Sequence, residues 1–233
     1  MTVTIRPAAE RGGGEFGWLR TRHTFSFADY HDPDWMGYRA LRVLNDDDIA
    51  PAQGFGLHPH RDMEIVTIVR RGELAHTDSL GHRETIRAGE VQRMTAGTGI
   101  RHSEVNASAT EPVHLYQIWL RPERSGLQPG YEQKAFDPAG RKNAAQLVVS
   151  PDGADGSLRW HQDARLYLLD LEPGREFTLE RRQGRHTWLQ VMAGTVTLDG
   201  VTLTAGDGAA VEPGGPLRLE SPAGVELMIF DLA

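Results

Sequence analysis

The stretch GFGLHPHRDMEIVTIVRRG, residues 54–72, sets His58 and His60 two apart just ahead of EIVTIV, a run rich in β-branched residues. A second stretch, GEVQRMTAGTGIRHSEVN, residues 89–106, sets His102 and Glu104 two apart. In a β-strand, residues i and i+2 point to the same face, so each pair can aim two donor atoms into one space. Three imidazoles and a carboxylate form a suitable ligand set for a divalent first-row transition metal. The chain has no cysteine, which excludes thiolate sites, iron–sulfur clusters and disulfides. The expectation is one metal ion held by His58, His60, His102 and a carboxylate inside a β-barrel. Glu64 shares the parity of His58 and His60, so strand geometry leaves Glu64 and Glu104 as rival fourth ligands.

Outward from these stretches the texture is all-β. Twenty-six glycines and thirteen prolines punctuate short runs of Val, Ile, Leu and Thr, and no segment carries sustained helical periodicity. VTIR (3–6) reads as a first strand. Residues 12–56 read as a long, aromatic, irregular cover ending in an NDDD turn (45–48), with Asp46, Asp47 and Asp48 solvated. Turns are expected at Arg71-Gly72 and Leu80-Gly81, and VHLYQIWLRP (113–122) reads as a strand closing the first half. Residues 121–143, rich in Gly, Pro and charge, read as a connector. The resulting division is 1–130 for a metal-bearing N-terminal domain and 131–233 for a C-terminal one.

The second half repeats the first. IVRRGEL (68–74) resembles QVMAGTV (190–196), and IRAGEV (86–91) resembles LTAGDG (203–208), so Gly72 matches Gly194 and Gly89 matches Gly206. The first registration carries His58 and His60 onto Glu180 and Arg182, and the second carries His102 and Glu104 onto Leu219 and Ser221. An arginine and a leucine cannot replace those donors, which predicts a metal-free second barrel and one metal per chain. The remaining histidines, His23, His31, His76, His82, His114, His161 and His186, read as surface or structural groups. A pocket role is conceivable for His114 beside Gln117.

Bulk properties narrow the function. A formal charge of −7 and the lack of a basic cluster argue against direct nucleic-acid binding. The residues after Met1, TVTIRPAAERGGG, lack the apolar core of a secretory signal, and no window approaches the ~18 apolar residues of a membrane span. A cytoplasmic, membrane-free monomer is expected.

The motifs themselves carry a resemblance. The two histidine stretches resemble the paired cupin motifs, with Thr95 where proline is usual. HTFSFADY (23–30), GYRALRVLNDDDIAP, GFGLHPHRDME, AHTDSLG, MTAGTGIRHSE and YQIWLRP together resemble the bacterial pirin-like proteins, which are bicupins. The resemblance implies two jelly-roll-like cupin barrels, the second degenerate, with ligands at His58, His60, His102 and Glu104, which favours Glu104 over Glu64. It also implies quercetin 2,3-dioxygenase activity, which opens a flavonol with O2 and releases carbon monoxide. Iron is the expected metal, with manganese, nickel, cobalt, copper and zinc as alternatives, and Glu104 is the expected catalytic base. Trp18, Phe25, Phe27 and Tyr30 are candidates to wall the cavity. The family's other implied role is that of a metal-binding regulator acting through protein partners.

Overall fold

A computed structural model describes residues 2–233, more than half of them in strands, with three short 3-10 turns as their only helical elements. Two compact units form. One holds residues 12–136 with Leu158–Gln162, and the other holds Asp137–Ser157, Asp163–Ala233 and the N-terminal segment up to Arg11.

The strands through the first half are β1 (Val3–Arg6), β2 (Gly12–Glu15), β3 (Leu19–His23), β4 (Leu41–Ile49), β5 (Gly54–His60) and β6 (Glu64–Arg71). They continue with β7 (Glu73–Asp78), β8 (Arg83–Arg87), β9 (Glu90–Thr95), β10 (Ile100–Asn106), β11 (Val113–Leu120) and β12 (Gly130–Ala135). In the first unit these build a seven-stranded sheet of order β12-β9-β6-β11-β4-β3-β2 and a four-stranded sheet of order β5-β10-β7-β8. Hydrogen bonding does not run from one sheet into the other, so the unit is a jelly-roll-like pair of sheets rather than a closed cylinder.

Several segments differ from their sequence reading. The stretch after residue 11 contains two paired strands, β2 and β3, and the supposed NDDD turn lies within β4. Leu41, Val43, Asn45, Asp47 and Ile49 are all buried along β4, whereas Asp46 and Asp48 are not. The hydrophobic ends of that alternation pull the central polar pair inward with them. β11 is a strand as expected and sits between β6 and β4, whereas residues 130–135 of the supposed connector pair with β9. β1 is a strand as expected, but its partner is Gly208–Val211 in the second unit. A lone strand signal does not specify which sheet it joins.

The second unit follows with β13 (Gln146–Ser150), β14 (Leu158–Arg159, counted with the first unit), β15 (Ala164–Leu171), β16 (Arg175–Leu179) and β17 (His186–Leu198). β18 (Val201–Thr204), β19 (Gly208–Val211), β20 (Leu217–Ser221) and β21 (Val225–Leu232) complete it. Its main path runs β1-β19-β17-β21-β15-β13, and β20 pairs with both β16 and β17. The internal repeat is visible in the backbone. Gly72 and Gly194 have φ of 77° and 79°, and Gly89 and Gly206 have φ of 87° and 89°. That left-handed region is open to glycine and strained for most other residues, which is why the repeat leaves its glycines as a trace in the sequence.

The interior of the second unit is hydrocarbon. Leu169, Val191, Val196, Leu198, Leu203, Leu219, Leu227 and Ile229 belong to one buried cluster. Leu219 therefore packs where the repeat would place a donor. Arg182 pairs with Asp231 at 2.8 Å, and His186 pairs with Glu212 at 3.2 Å. Among the described residues, both clusters of three or more potential metal donors lie in the first unit.

Candidate metal centre

The four residues singled out by spacing all sit on the four-stranded sheet. β10 pairs antiparallel with β5, placing His102 directly opposite His58 and Ile100 opposite His60. The register then shifts, so that Glu104 faces Phe55. This bulge puts two residues of β5, Gly56 and Leu57, against Ser103 and re-aims the side chains beyond it. Gly54 lets the strands close up there, because a Cβ at that position would run into the Glu104 carbonyl.

The donor atoms converge. The ligating atoms of His58, His60 and His102 all lie within 4.8 Å of one another, and His102, Glu104 and His76 form a second such triad. The predicted set is thus gathered as two overlapping groups that share His102, with Glu104 nearer to His76 than the sequence indicated. His58 Nε2 and His102 Nε2 are 3.0 Å apart. Two nitrogens bound at right angles about 2.1 Å from one ion would be separated by roughly 3 Å, so this pair is already spaced for chelation.

The protonation states suit a cation. His58 Nδ1 donates to the Gly56 carbonyl at 2.7 Å, which turns Nε2 toward His102. Burial, reinforced by the neighbouring imidazoles, pushes His60 down to about 4 and His102 down to about 3. Both rings are therefore neutral at pH 7, as metal ligation requires. Glu104 is buried; Thr67 Oγ1 donates to one carboxylate oxygen at 3.3 Å and Gln117 Nε2 to the other at 2.9 Å. The side chains present fit a divalent ion.

These groups line a small cavity of about 80 Å3 between the sheets. The facing sheet contributes Leu19, Thr21, His23, Asn45, Asp47, Gln117 and Trp119, while Phe27 and Phe55 supply further apolar wall. Of the candidate wall aromatics only Phe27 lines the cavity. Phe25 is buried in the core, and Trp18 packs edge-on against Phe55 at 5.3 Å. Gln117 reaches the cavity, but His114 turns outward to bond Asp46 at 2.8 Å. Burial pushes the Asp47 carboxyl up to about 7.

Glu64 lies outside both donor triads. β5 ends at His60 and β6 begins at Glu64, with Asp62 between them at φ 48°, so the parity of one strand does not carry into the next. Glu64 instead accepts from Thr95 Oγ1 at 2.9 Å, and its other oxygen is buried with no hydrogen-bond partner. His76 was the residue that spacing missed. It is buried on β7 opposite Glu104, and its Nε2 bonds Asp78 at 3.2 Å. Only the pairing register brings it to the site.

Burial raises the Glu64 carboxyl to about 7, so in the folded protein it holds a proton between roughly pH 4.5 and 7 that the unfolded chain releases. Stability from this group is therefore complete below pH 4.5 and lost as pH rises through 7, a change on the order of 3 kcal/mol. Glu64→Gln is expected to raise the midpoint of chemical unfolding at pH 8 and to change it little at pH 5. Equal effects at both pH values would contradict this reading.

All-β units of paired sheets, one of them carrying a His, His, His, Glu cavity, define a cupin fold with a candidate metal site. The first half, residues 4–120, matches the Pirin family model, and residues 147–232 match the quercetinase C-terminal cupin domain. The chain belongs to the pirin family. It is 49% identical over 230 residues to a quercetin 2,3-dioxygenase of Escherichia coli K12, covering 99% of this chain and 98% of that one. It is also 40% identical to a pirin-like protein of Caulobacter vibrioides, covering 99% and 100%. Among solved structures, the bacterial pirin YhhW of Escherichia coli in complex with nickel(II) superposes with a TM-score of 0.95 at 48% identity, with 99% of each chain covered.

Proposed function

We propose that this chain is a metal-dependent dioxygenase that opens flavonols such as quercetin with O2, and that His58, His60, His102 and Glu104 hold its single metal ion. The observation that carries this reading is the convergence of three imidazoles and a buried carboxylate on one cavity walled by Phe27, Phe55 and Trp119. The names of its pirin-family relatives support it. Iron is the expected native ion, and the nickel(II) complex of a relative indicates that this kind of site accepts other first-row metals. A bound divalent ion supplies Lewis acidity that favours ionisation of a flavonol hydroxyl.

The side chains supply the rest. Glu104 receives the proton of the substrate's 3-hydroxyl at a carboxylate oxygen held in place by Thr67 or Gln117. Thr67 Oγ1 also lies 3.2 Å from Gln117 Oε1, and these two residues fix the orientation of the base between them. The apolar wall excludes bulk water from the reacting carbons. A cytoplasmic monomer that needs neither nucleic acid nor membrane is the accompanying proposal. Among the described residues, no helix is long and apolar enough to cross a membrane.

Turnover of quercetin by metal-loaded protein under air and under nitrogen tests the assignment. Loss of flavonol absorbance with release of carbon monoxide in air alone is the expected result. Tight metal binding with no turnover in either gas would instead favour a regulator acting through protein partners.

A further inference from the structure

The cavity between the sheets is graded in polarity. Its apolar lining, Leu19, Phe27, Phe55 and Trp119, is half-buried, as are His58 and His60, and marks the open side. Its polar lining on the facing sheet is deep: Thr21 is 3% exposed, Asn45 3% and Asp47 4%, and Glu104 is buried with them. Sites that enclose a whole drug-sized ligand run to about 300–1,000 Å3. At about 80 Å3 this interior takes only the edge of an aromatic molecule, and the rings stay at the mouth.

Asn45 and Asp47 stand two apart on β4 and share its inward face. Asp47 lies opposite Thr21, which hydrogen-bonds its carboxylate, and Asn45 lies opposite both His23 and Gln117. Gln117 is already engaged with Glu104 and Thr67. By contrast, Oδ1 of Asn45 and Oδ1 of Asp47 are buried without a hydrogen-bond partner. A buried acceptor left unpaired costs stability, so two of them lining one cavity point to a ligand that donates there.

We infer that Asn45 and Asp47 accept from a second hydroxyl on the substrate edge that meets Glu104, so that the site selects aromatics with two hydroxyls on one edge. In a flavonol the 3- and 5-hydroxyls share an edge, flanking the 4-carbonyl. With the 3-hydroxyl at Glu104, the 5-hydroxyl donates to the facing sheet and the rings rest among Phe27, Phe55 and Trp119. A site built to hold a hydroxyl discriminates against an analogue lacking it, because its buried acceptors are then left unpaired. This deepens the dioxygenase reading and rests on it for the flavonol skeleton, but binding alone tests the contact.

The test is equilibrium titration of metal-loaded protein under nitrogen with 3-hydroxyflavone and with 3,5-dihydroxyflavone. A pH of about 8 lies above the value of about 7 to which burial raises the Asp47 carboxyl, and keeps both side chains as acceptors. Wild type is expected to bind the dihydroxy compound at least about tenfold more tightly. In Asn45→Leu/Asp47→Leu that preference should fall below about twofold, whereas Asp47→Asn, which keeps an acceptor, should retain most of it. Should the double variant not fold, Asn45→Leu alone is expected to reduce the preference about threefold. Equal affinities in wild type, a preference untouched by the leucine variants, or no binding of either compound would overturn the proposal. Turnover in air is scored separately. A binding preference without O2-dependent turnover refutes the dioxygenase reading and leaves the hydroxyl contact standing.

Discussion

Replacing Glu104 with glutamine is expected to lower flavonol turnover by about 10²–10⁴-fold, the range associated with loss of a positioned general base. The carboxylate is buried between the Thr67 hydroxyl and the Gln117 amide, and glutamine is close to it in shape. An amide oxygen can still accept from Gln117 while the amide nitrogen faces Thr67 Oγ1, so the fold and the cavity should survive. What is lost is the ability to take a proton. The kinetic signature is a fall in kcat larger than any rise in KM, measured on protein whose metal content has been determined. A variant with full metal and full turnover would remove Glu104 from the chemistry.

Replacing His102 with alanine is expected to do more. His102 is shared by both donor triads, lies opposite His58 across the strand pair and is 1% exposed. Alanine there removes a ligand from the centre of the set. Changing only the groups that orient a ligand typically costs 10–100-fold in metal affinity, so deleting the ligand itself should exceed ~100-fold and abolish turnover. Metal content after dialysis, read alongside the circular dichroism of the same sample, separates this from unfolding. A His102→Ala protein that keeps stoichiometric metal would show that the ion is held elsewhere.

The parts of this site that were legible in sequence were those with local geometry. Spacings of two in strand-forming stretches brought out His58 with His60 and His102 with Glu104, because side-chain direction along a strand alternates without reference to the rest of the fold. The parts that were not legible depend on where strands begin and on register. Glu64 has the parity of His58, but a turn at Asp62 resets the face on which β6 presents it. His76 reaches the site only because β7 pairs with β10 in the register that sets it against Glu104.

Asp47 shows a third reason. Three successive acids invite reading as a solvated turn, since burying a carboxylate is costly. In β4 the buried Val43 and Ile49 share a face with Asp47 and carry it inside, where burial raises its proton affinity rather than expelling it. The alternation in LRVLNDDDI was the available signal. The repeat was legible for the opposite reason: its glycine turns persist in the second unit, while leucine and arginine stand at the positions matched to His102 and His60.

The most direct test is anomalous diffraction at the metal's absorption edge from crystals of metal-loaded protein. One peak per chain is expected, within bonding distance of His58, His60, His102 and Glu104. A peak among His76, Asp78 and His82, or in the second unit, would contradict the account.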